Sequence, residues 1–405
     1  MEEIPLYWES PFLFDTETRV IEVEKNSSEW KLLLERAPFY PGGGGQPADT
    51  GTINGNRIIR ISREDDRTFH ILESDKEFHI GDTVRCIVNK EFRLDSMEQH
   101  SGQHMLSAAL AEEGYKTVSV HLGSEYTGIE VEGSSDGIIT EESVKRVLEK
   151  CDRWISENRK IISRFLSLKE IEKIELRRPV TRVTEPVRII EIENLDMTGC
   201  GGVHLESTAS IGPILFLGSE KIRGRLRMKW LIGHRAAVQA RTVLAQNQQL
   251  QKLLSSSSRE IPEKVDLLLK ENQQYRKKAK SSSEYIGTLL AESWLARADE
   301  SPFIVESIEP PYDSRETLEA AAAKIRDSSA AGAFIMGGSS WIFYSREKDS
   351  SFFEAFLFEV LNPYKGKGGG KPPIWRGRIE GSSIEILSSA ENWLKTANRP
   401  VNDEK

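Results

Sequence analysis

A chain of 405 residues with 38% apolar and 29% charged residues can build two or three globular domains, and no apolar run reaches membrane-spanning length. Met1-Glu2-Glu3 is acidic where an export leader would be basic, so the expectation is a cytoplasmic protein; Cys86, Cys151 and Cys200 are too few for a disulfide framework. The formal net charge of −8 argues against a generally sticky nucleic-acid coat and leaves local basic patches open.

From Pro11 to Asn89, short apolar runs such as Val20-Ile21-Glu22-Val23 and Arg57-Ile58-Ile59-Arg60-Ile61 alternate with Gly, Asn and Asp turns, the pattern of a small β-barrel or sandwich. Residues 1–90 are therefore taken as a β-barrel domain carrying a Gly-rich loop. In that loop, Phe39 to Asp49, four successive glycines follow Pro41; such a segment is either disordered or held for close backbone approach to a ligand. The amide of Gln46 offers both a donor and an acceptor there.

The next stretch, 91–233, carries the strongest signal. His100 and His104 share an i, i+4 spacing, and so do Cys200 and His204 about a hundred residues on. Four of the ten His and Cys residues fall in these two pairs, which makes a shared tetrahedral zinc the preferred reading over unrelated histidines. Ser96 and Gln99 read as a capping box that opens a helix bearing the first pair, backed by Met97, Leu106, Ala109 and Leu110. The second pair, set among glycines, reads as a turn. Ser101 stands where a zincin needs Glu, so peptide hydrolysis is disfavoured, and the separation of the pairs suits a cleft better than a small zinc finger. His70, His79, His121, His234, Cys86 and Cys151 lack such pairing and are read as structural or solvent-facing. An amphipathic helix over 141–159 and strands near 127–131, 187–192 and 211–217 complete an α+β layer.

Two basic stretches follow. Residues 221–235 hold six Lys or Arg and no acid; read as one strand, Lys221, Arg223, Arg225, Arg227 and Lys229 share a face that suits either a phosphate backbone or plain solvent. Residues 364–378 hold five cations among glycines, a phosphate-binding loop candidate that lacks the spacing and the Ser or Thr of a P-loop. Between them, 234–298 is helical. Val265, Leu268, Asn272, Tyr275, Ala279, Ser282, Ile286 and Leu289 trace a seam that packs as an intrachain hairpin or a modest dimer contact. Residues 299–405 read as an α/β domain: a strand after Pro302, a helix at 314–329, strands at 332–336 and 341–345, and a last helix near 390–397.

Taken together, Leu6-Tyr7-Trp8, the Phe39–Asp49 loop, His100-x-x-x-His104, Cys200-Gly201-Gly202-x-His204, the long helix and Gly366 to Pro372 resemble the freestanding alanyl-tRNA editing proteins, in the long form that keeps the synthetase's C-terminal domain. Val203 departs from the Thr usual in the synthetases, and 373–377 departs from the usual stretch after the Gly-Lys loop. The resemblance implies an α+β chain: barrel, zinc-binding editing domain, long helical hairpin and C-terminal α/β domain. It further implies hydrolysis of mischarged Ser-tRNA(Ala) or Gly-tRNA(Ala) in trans, with no aminoacylation, since the chain begins at the editing barrel.

Under that resemblance His100, His104, Cys200 and His204 bind Zn²⁺, which polarises or orients the aminoacyl ester or lowers the pKa of a bound water. Four protein ligands close a tetrahedron; the preferred way out is a fifth ligand, the other an imidazole such as His104 that lets go and serves as base. Gln46, the amides of Gly43, Gly44 and Gly45, and Thr50 are candidates for reading the serine hydroxyl, worth roughly 10⁴ to 10⁵ in discrimination. Arg223, Arg225 and Arg227 would hold the acceptor end of tRNA(Ala), and Lys365, Lys367 and Lys371 its body. The competing class is a non-catalytic tRNA-binding protein with a structural zinc.

Overall fold

In the computed structural model the described residues are 4–64, 67–132, 139–180, 186–222, 224–297, 302–346 and 350–397. The chain divides into two compact units, 1–249 and 250–405.

The first unit opens with the short helix α1 (Leu6–Glu9) and the strands β1 (Asp15–Asn26), β2 (Glu29–Leu34), β3 (Gly51–Ile53), β4 (Asn56–Glu64), β5 (Arg67–Glu73) and β6 (Thr83–Val88). They close into a barrel in the order β1-β2-β5-β4-β3-β6, as the period-two pattern requires: Val84, Cys86 and Val88 point inward and Thr83, Arg85 and Ile87 outward. Asn54 and Gly55, both with positive φ (48° and 82°), form the two-residue turn between β3 and β4, matching the Asn-Gly preference of tight hairpins. Leu32, Phe39, Ile53, Leu72 and Val84 fill the interior.

The barrel leads into α2 (Lys90–Glu112), the centre of the unit. Its N-cap is Asn89, whose side chain accepts the Phe92 N–H, so the helix begins a turn and a half before Ser96. Ser96 and Gln99 are buried mid-helix and form no capping box, which corrects the sequence reading. Almost every residue from Ser96 to Leu110 is buried, because other elements cover the helix on more than one side. A sheet in the order β12-β13-β8-β7 comprises β7 (Lys116–Leu122), β8 (Thr127–Glu132), β12 (Ile214–Ile222) and β13 (Arg225–Ile232), and α3 (Glu141–Glu157) packs beside α2. Gly102 allows the close fit: a Cβ there would lie 2.5 Å from Ile232 Cγ2. A second sheet, β11-β10-β9, is built of β9 (Ile161–Leu166), β10 (Val187–Ile192) and β11 (Asp196–Gly199), with the short α4 (Leu168–Ile171) between β9 and β10. The helix α5 (His234–Leu254) follows β13.

The basic segment is not one strand. Ile222 pairs with Arg225, so Lys221 lies on β12, while Arg225, Arg227 and Lys229 share the outer face of β13 opposite buried Leu226, Met228 and Trp230. Arg223 lies outside the described residues. The β13 cations are paired: Arg225 with Glu132 (3.1 Å), Arg227 with Glu130 (2.5 Å) and Lys229 with Glu220 (2.8 Å).

The second unit contains α6 (Ile261–Arg297), β14 (Phe303–Ile308), α7 (Arg315–Arg326), β15 (Gly332–Gly337), β16 (Ser340–Ser345), α8 (Ser350–Phe356), β17 (Lys367–Lys371), β18 (Ile374–Arg378) and α9 (Ser383–Ala397). The sheet runs β14-β15-β16-β18-β17, parallel only between β14 and β15. Phe334, Trp341, Phe343, Phe353, Phe356 and Trp375 make an aromatic core. On α6 the residues buried in this unit are Gly287, Ala291 and Trp294, one register away from the expected seam, whose Val265, Leu268, Tyr275 and Leu289 are exposed. Gly287 sets the register, since a Cβ there would meet Thr317 O of α7 at 2.2 Å. The expected Gly-Lys loop is the edge hairpin β17–β18. Gly368 lies flat on Trp341, with 2.4 Å from a built Cβ to Cζ2, so its lack of a side chain serves packing.

Candidate metal centre

The four donors foreseen from spacing converge. His100, His104, Cys200 and His204 offer ligand atoms that all lie within 4.8 Å of one another. Cys200 Sγ is 3.4 Å from His100 Nε2 and 3.3 Å from His204 Nε2. Zinc bound to nitrogen and sulfur at tetrahedral angles separates its donors by roughly 3.3 to 3.7 Å, so the thiol and these two imidazoles already stand at ligand spacing.

Two of the three imidazoles are hydrogen-bonded from behind, a common feature of histidine metal sites. His100 Nδ1 lies 2.7 Å from Gln46 Oε1, which also accepts the Val203 N–H at 3.1 Å. His204 Nδ1 lies 3.3 Å from Ser101 Oγ, itself the acceptor of the Leu205 N–H at 3.0 Å. His104 Nδ1 faces Asp196 Oδ2 at 3.8 Å, and Asp196 is gripped by Arg177 (2.8 and 3.1 Å) and by the Thr198 hydroxyl (3.1 Å). His100 and His204 thus turn Nδ1 to a hydrogen-bond partner and leave Nε2 for an ion, while His104 Nδ1 faces the Asp196 carboxylate with no hydrogen bond among the described residues.

The electrostatics agree. Burial opposes ionisation of Cys200, but the imidazoles of His100, His204 and His104 hold its thiol well below the ordinary range. Burial and the neighbouring His100 push His204 well below the usual imidazole value, the neutral form that a ligand requires. Burial likewise opposes the charge on Asp196, yet His104 and Arg177 hold its carboxyl at about 2.

The backbone is shaped to match. Gly202 sits against His100 and Gln46: a Cβ there would lie 2.2 Å from His100 Cε1 and 2.6 Å from Gln46 Oε1. Arg188 of β10 reaches the same turn, donating to the carbonyls of Cys200 (2.8 Å) and Gly202 (2.7 Å), and burial lowers its pKa to about 10. Trp8 Nε1 donates to Gly201 O at 2.7 Å, fixing α1 to the turn.

The glycine loop is ordered. Gly42 to Gly45 all have positive φ, and the Gly43 N–H donates to Gln46 O (3.0 Å) while the Gln46 N–H donates back to Gly43 O (2.9 Å). Gly43's amide is thus engaged inside the turn. Gly45 accepts the Leu122 N–H at 3.1 Å, and Gly44 faces open space. At the loop's base Asp49 accepts the Tyr40 N–H (2.6 Å) and pairs with Arg93 of α2, both side chains fully buried. Arg93 also donates to Pro11 O and Pro38 O, each at 2.7 Å, so one guanidinium ties barrel, loop and metal helix together.

The site lies in a cleft of about 1060 Å³ lined by His100, His104, Cys200, Gly42 to Gly44 and α1. Gly45, Gln46 and Thr50 do not line it; Gln46 is buried behind His100, and the Thr50 carbonyl accepts the Asn89 N–H at 2.8 Å. Sequence reasoning missed Ser101, Arg177, Arg188 and Asp196. Arg188 left a signal: a single cation within the buried run of β10 must find partners. Asp196 left none, since its strand of four residues has no pattern to read.

This fold and site join a closed barrel to a buried four-donor cluster that could hold a metal ion. The family model for tRNA synthetases class II (A) matches residues 7–92, and that for the threonyl and alanyl tRNA synthetase second additional domain matches 187–227. Over 404 residues the chain is 26% identical to the alanyl-tRNA editing protein AlaX-L of Pyrococcus horikoshii, covering 96% of this chain and 98% of that protein. It is 27% identical to the alanyl-tRNA editing protein Aarsd1 of Mus musculus, over 90% of this chain and 87% of that one. It is also 28% identical to the alanine-tRNA ligase of Pyrococcus abyssi over 78% of this chain, while spanning 35% of the ligase. The resemblance to the long-form alanyl-tRNA editing proteins therefore extends over nearly the whole chain.

Proposed function

We propose that the chain is a deacylase acting in trans on mischarged Ser-tRNA(Ala), with Gly-tRNA(Ala) as a second substrate, at a zinc centre held by His100, His104, Cys200 and His204. The observation that carries this reading is the cluster of four donors beside the Gln46 turn, in a chain similar end to end to proteins that edit alanyl-tRNA. A zinc ion bound there would polarise the ester carbonyl or activate water.

The rest falls to the protein. Gln46 Oε1 orients His100, and its buried Nε2, which has no partner among the described residues, is the donor assigned to the serine hydroxyl. Asp196 faces His104 and, staying a carboxylate, would stabilise the imidazolium formed if that ring served as base. Lys367 and Lys371 are exposed on β17 and enter no ion pair among the described residues, so with Lys365, paired to Glu380 at 3.2 Å, they remain candidates for the tRNA body. Arg225 and Arg227 are weaker candidates for the acceptor end, being paired to glutamates. No helix among the described residues is long and apolar enough to cross a membrane.

One observation favours a purely structural metal: four protein donors complete a tetrahedron without an open position. The two readings separate in a deacylation assay on Ser-tRNA(Ala). Cys200→Ala and Gln46→Ala are each expected to lower the rate at least tenfold; cleavage by both variants at the wild-type rate would leave the site without a catalytic role.

A further inference from the structure

The cleft has features that the metal does not use. Among the described residues five arginines line it, Arg36, Arg63, Arg177, Arg178 and Arg188, against one acid, Glu35. Arg177 and Arg188 serve the metal turn and Arg36 pairs with Glu9 at 2.6 Å. Arg178 is exposed and enters no hydrogen bond or ion pair among the described residues. The same cleft is lined by two partly exposed rings, Trp8 and Phe165, with centroids 6.0 Å apart and planes tilted by 50°. Arg188 lies over the Trp8 ring at 5.1 Å, and the Trp8–Gly201 hydrogen bond ties this platform to the turn that carries Cys200.

Flat aromatic surface in one cleft with an unpaired guanidinium, where the described lining residues include a single acid, is the chemistry that takes a nucleotide: the base stacks on the rings and the phosphate meets the cation. The neighbouring alternative is weak, since Arg225, Arg227 and Lys229 on β13 are neutralised by glutamates. We propose that Trp8, Phe165 and Arg178 form the subsite for the 3′-terminal nucleotide of the acylated substrate. This rests on the deacylase reading, because an aminoacyl ester sits directly on the terminal ribose and its base must lie close to the metal turn.

The test uses the full zinc-loaded chain, with zinc content and circular dichroism confirming that the variants fold. Binding of adenosine 5′-monophosphate is measured by calorimetry for wild type, Phe165→Ala and Arg178→Gln, with Phe165→Tyr as the conservative replacement. Each of the first two variants should weaken binding about tenfold, and Phe165→Tyr should restore it. In parallel, kcat/KM is measured for seryl-adenosine and for serine methyl ester, and the ratio of the two should fall about tenfold in Phe165→Ala, mainly through KM. No nucleotide binding by the wild type, or equal binding by all forms, overturns the subsite. Binding that responds as expected while no seryl ester is cleaved keeps the subsite and removes the deacylase reading; cleavage with an unchanged ratio does the reverse.

Discussion

Replacing Gly202 with alanine adds one methyl group at the tightest point of the site. The new carbon would lie 2.2 Å from His100 Cε1, 2.3 Å from its Nδ1 and 2.6 Å from Gln46 Oε1. Carbon atoms do not approach much closer than about 3.5 Å, so ring or turn must withdraw by roughly 1 Å. Neither can do so cheaply. The ring is held by Gln46, Gln46 by the Val203 N–H, and the turn by two hydrogen bonds from Arg188. Metal–ligand distances tolerate about 0.2 Å, so the displacement removes His100 from the ligand set or breaks its link to Gln46. Disturbing such outer partners alone costs about tenfold to a hundredfold in metal affinity, or about 1.4 to 2.7 kcal/mol. Gly201→Ala is the internal control: its nearest atom, Trp8 Cζ2, is 3.8 Å from the added carbon, an ordinary contact. Zinc affinity measured by chelator competition should fall at least tenfold for Gly202→Ala and within about twofold of wild type for Gly201→Ala. Equal affinities for the two variants would refute the argument that His100 and Gln46 are packed against residue 202.

Two further outcomes test the scaffold. Arg93→Met leaves the Asp49 carboxylate buried without its partner and should lower unfolding free energy by about 3 to 5 kcal/mol in urea, with partial recovery when Asp49→Leu is added; a loss below about 1 kcal/mol would show the pair to be dispensable. His70 is fully buried in the barrel, and burial lowers its pKa to about 4. Its folded value lies below the unfolded one, so the unfolded chain takes the proton first: stability is fully present above about pH 6.5 and declines as pH falls toward 4. At about pH 4.5 the wild type should have lost roughly 2.5 kcal/mol more, relative to neutral pH, than His70→Leu, and parallel stability curves for the two proteins would contradict this.

How much of this was legible depended on whether a signal was local. The barrel strands announced themselves by period-two burial and by the Asn54-Gly55 turn, and the four-donor cluster by matched i, i+4 pairs. Errors arose where a longer-range partner decided. Ser96 and Gln99 carry the letters of a capping box, but Asn89, next to the end of β6, takes the cap, and the extra turn is buried by its neighbours. The alternation of cations across 221–229 was real, yet the turn near Gly224 (φ 78°) splits it, and glutamates distant in sequence neutralise it. On α6 the face that α7 covers lies beside the apolar seam, because Gly287 lets that helix approach there. Asp196 and Ser101 could not be found from spacing, because their roles exist only once two segments a hundred residues apart are brought together.

The central claim is that three imidazole nitrogens and one thiolate surround a single zinc beside Gln46. X-ray absorption at the zinc edge on the purified, deacylation-competent protein tests it most directly. One zinc per chain is expected, with three nitrogen neighbours at about 2.0 Å and one sulfur at about 2.3 Å, the sulfur lost in Cys200→Ala. A protein that cleaves Ser-tRNA(Ala) with no bound zinc, or with a zinc shell free of sulfur, would contradict it.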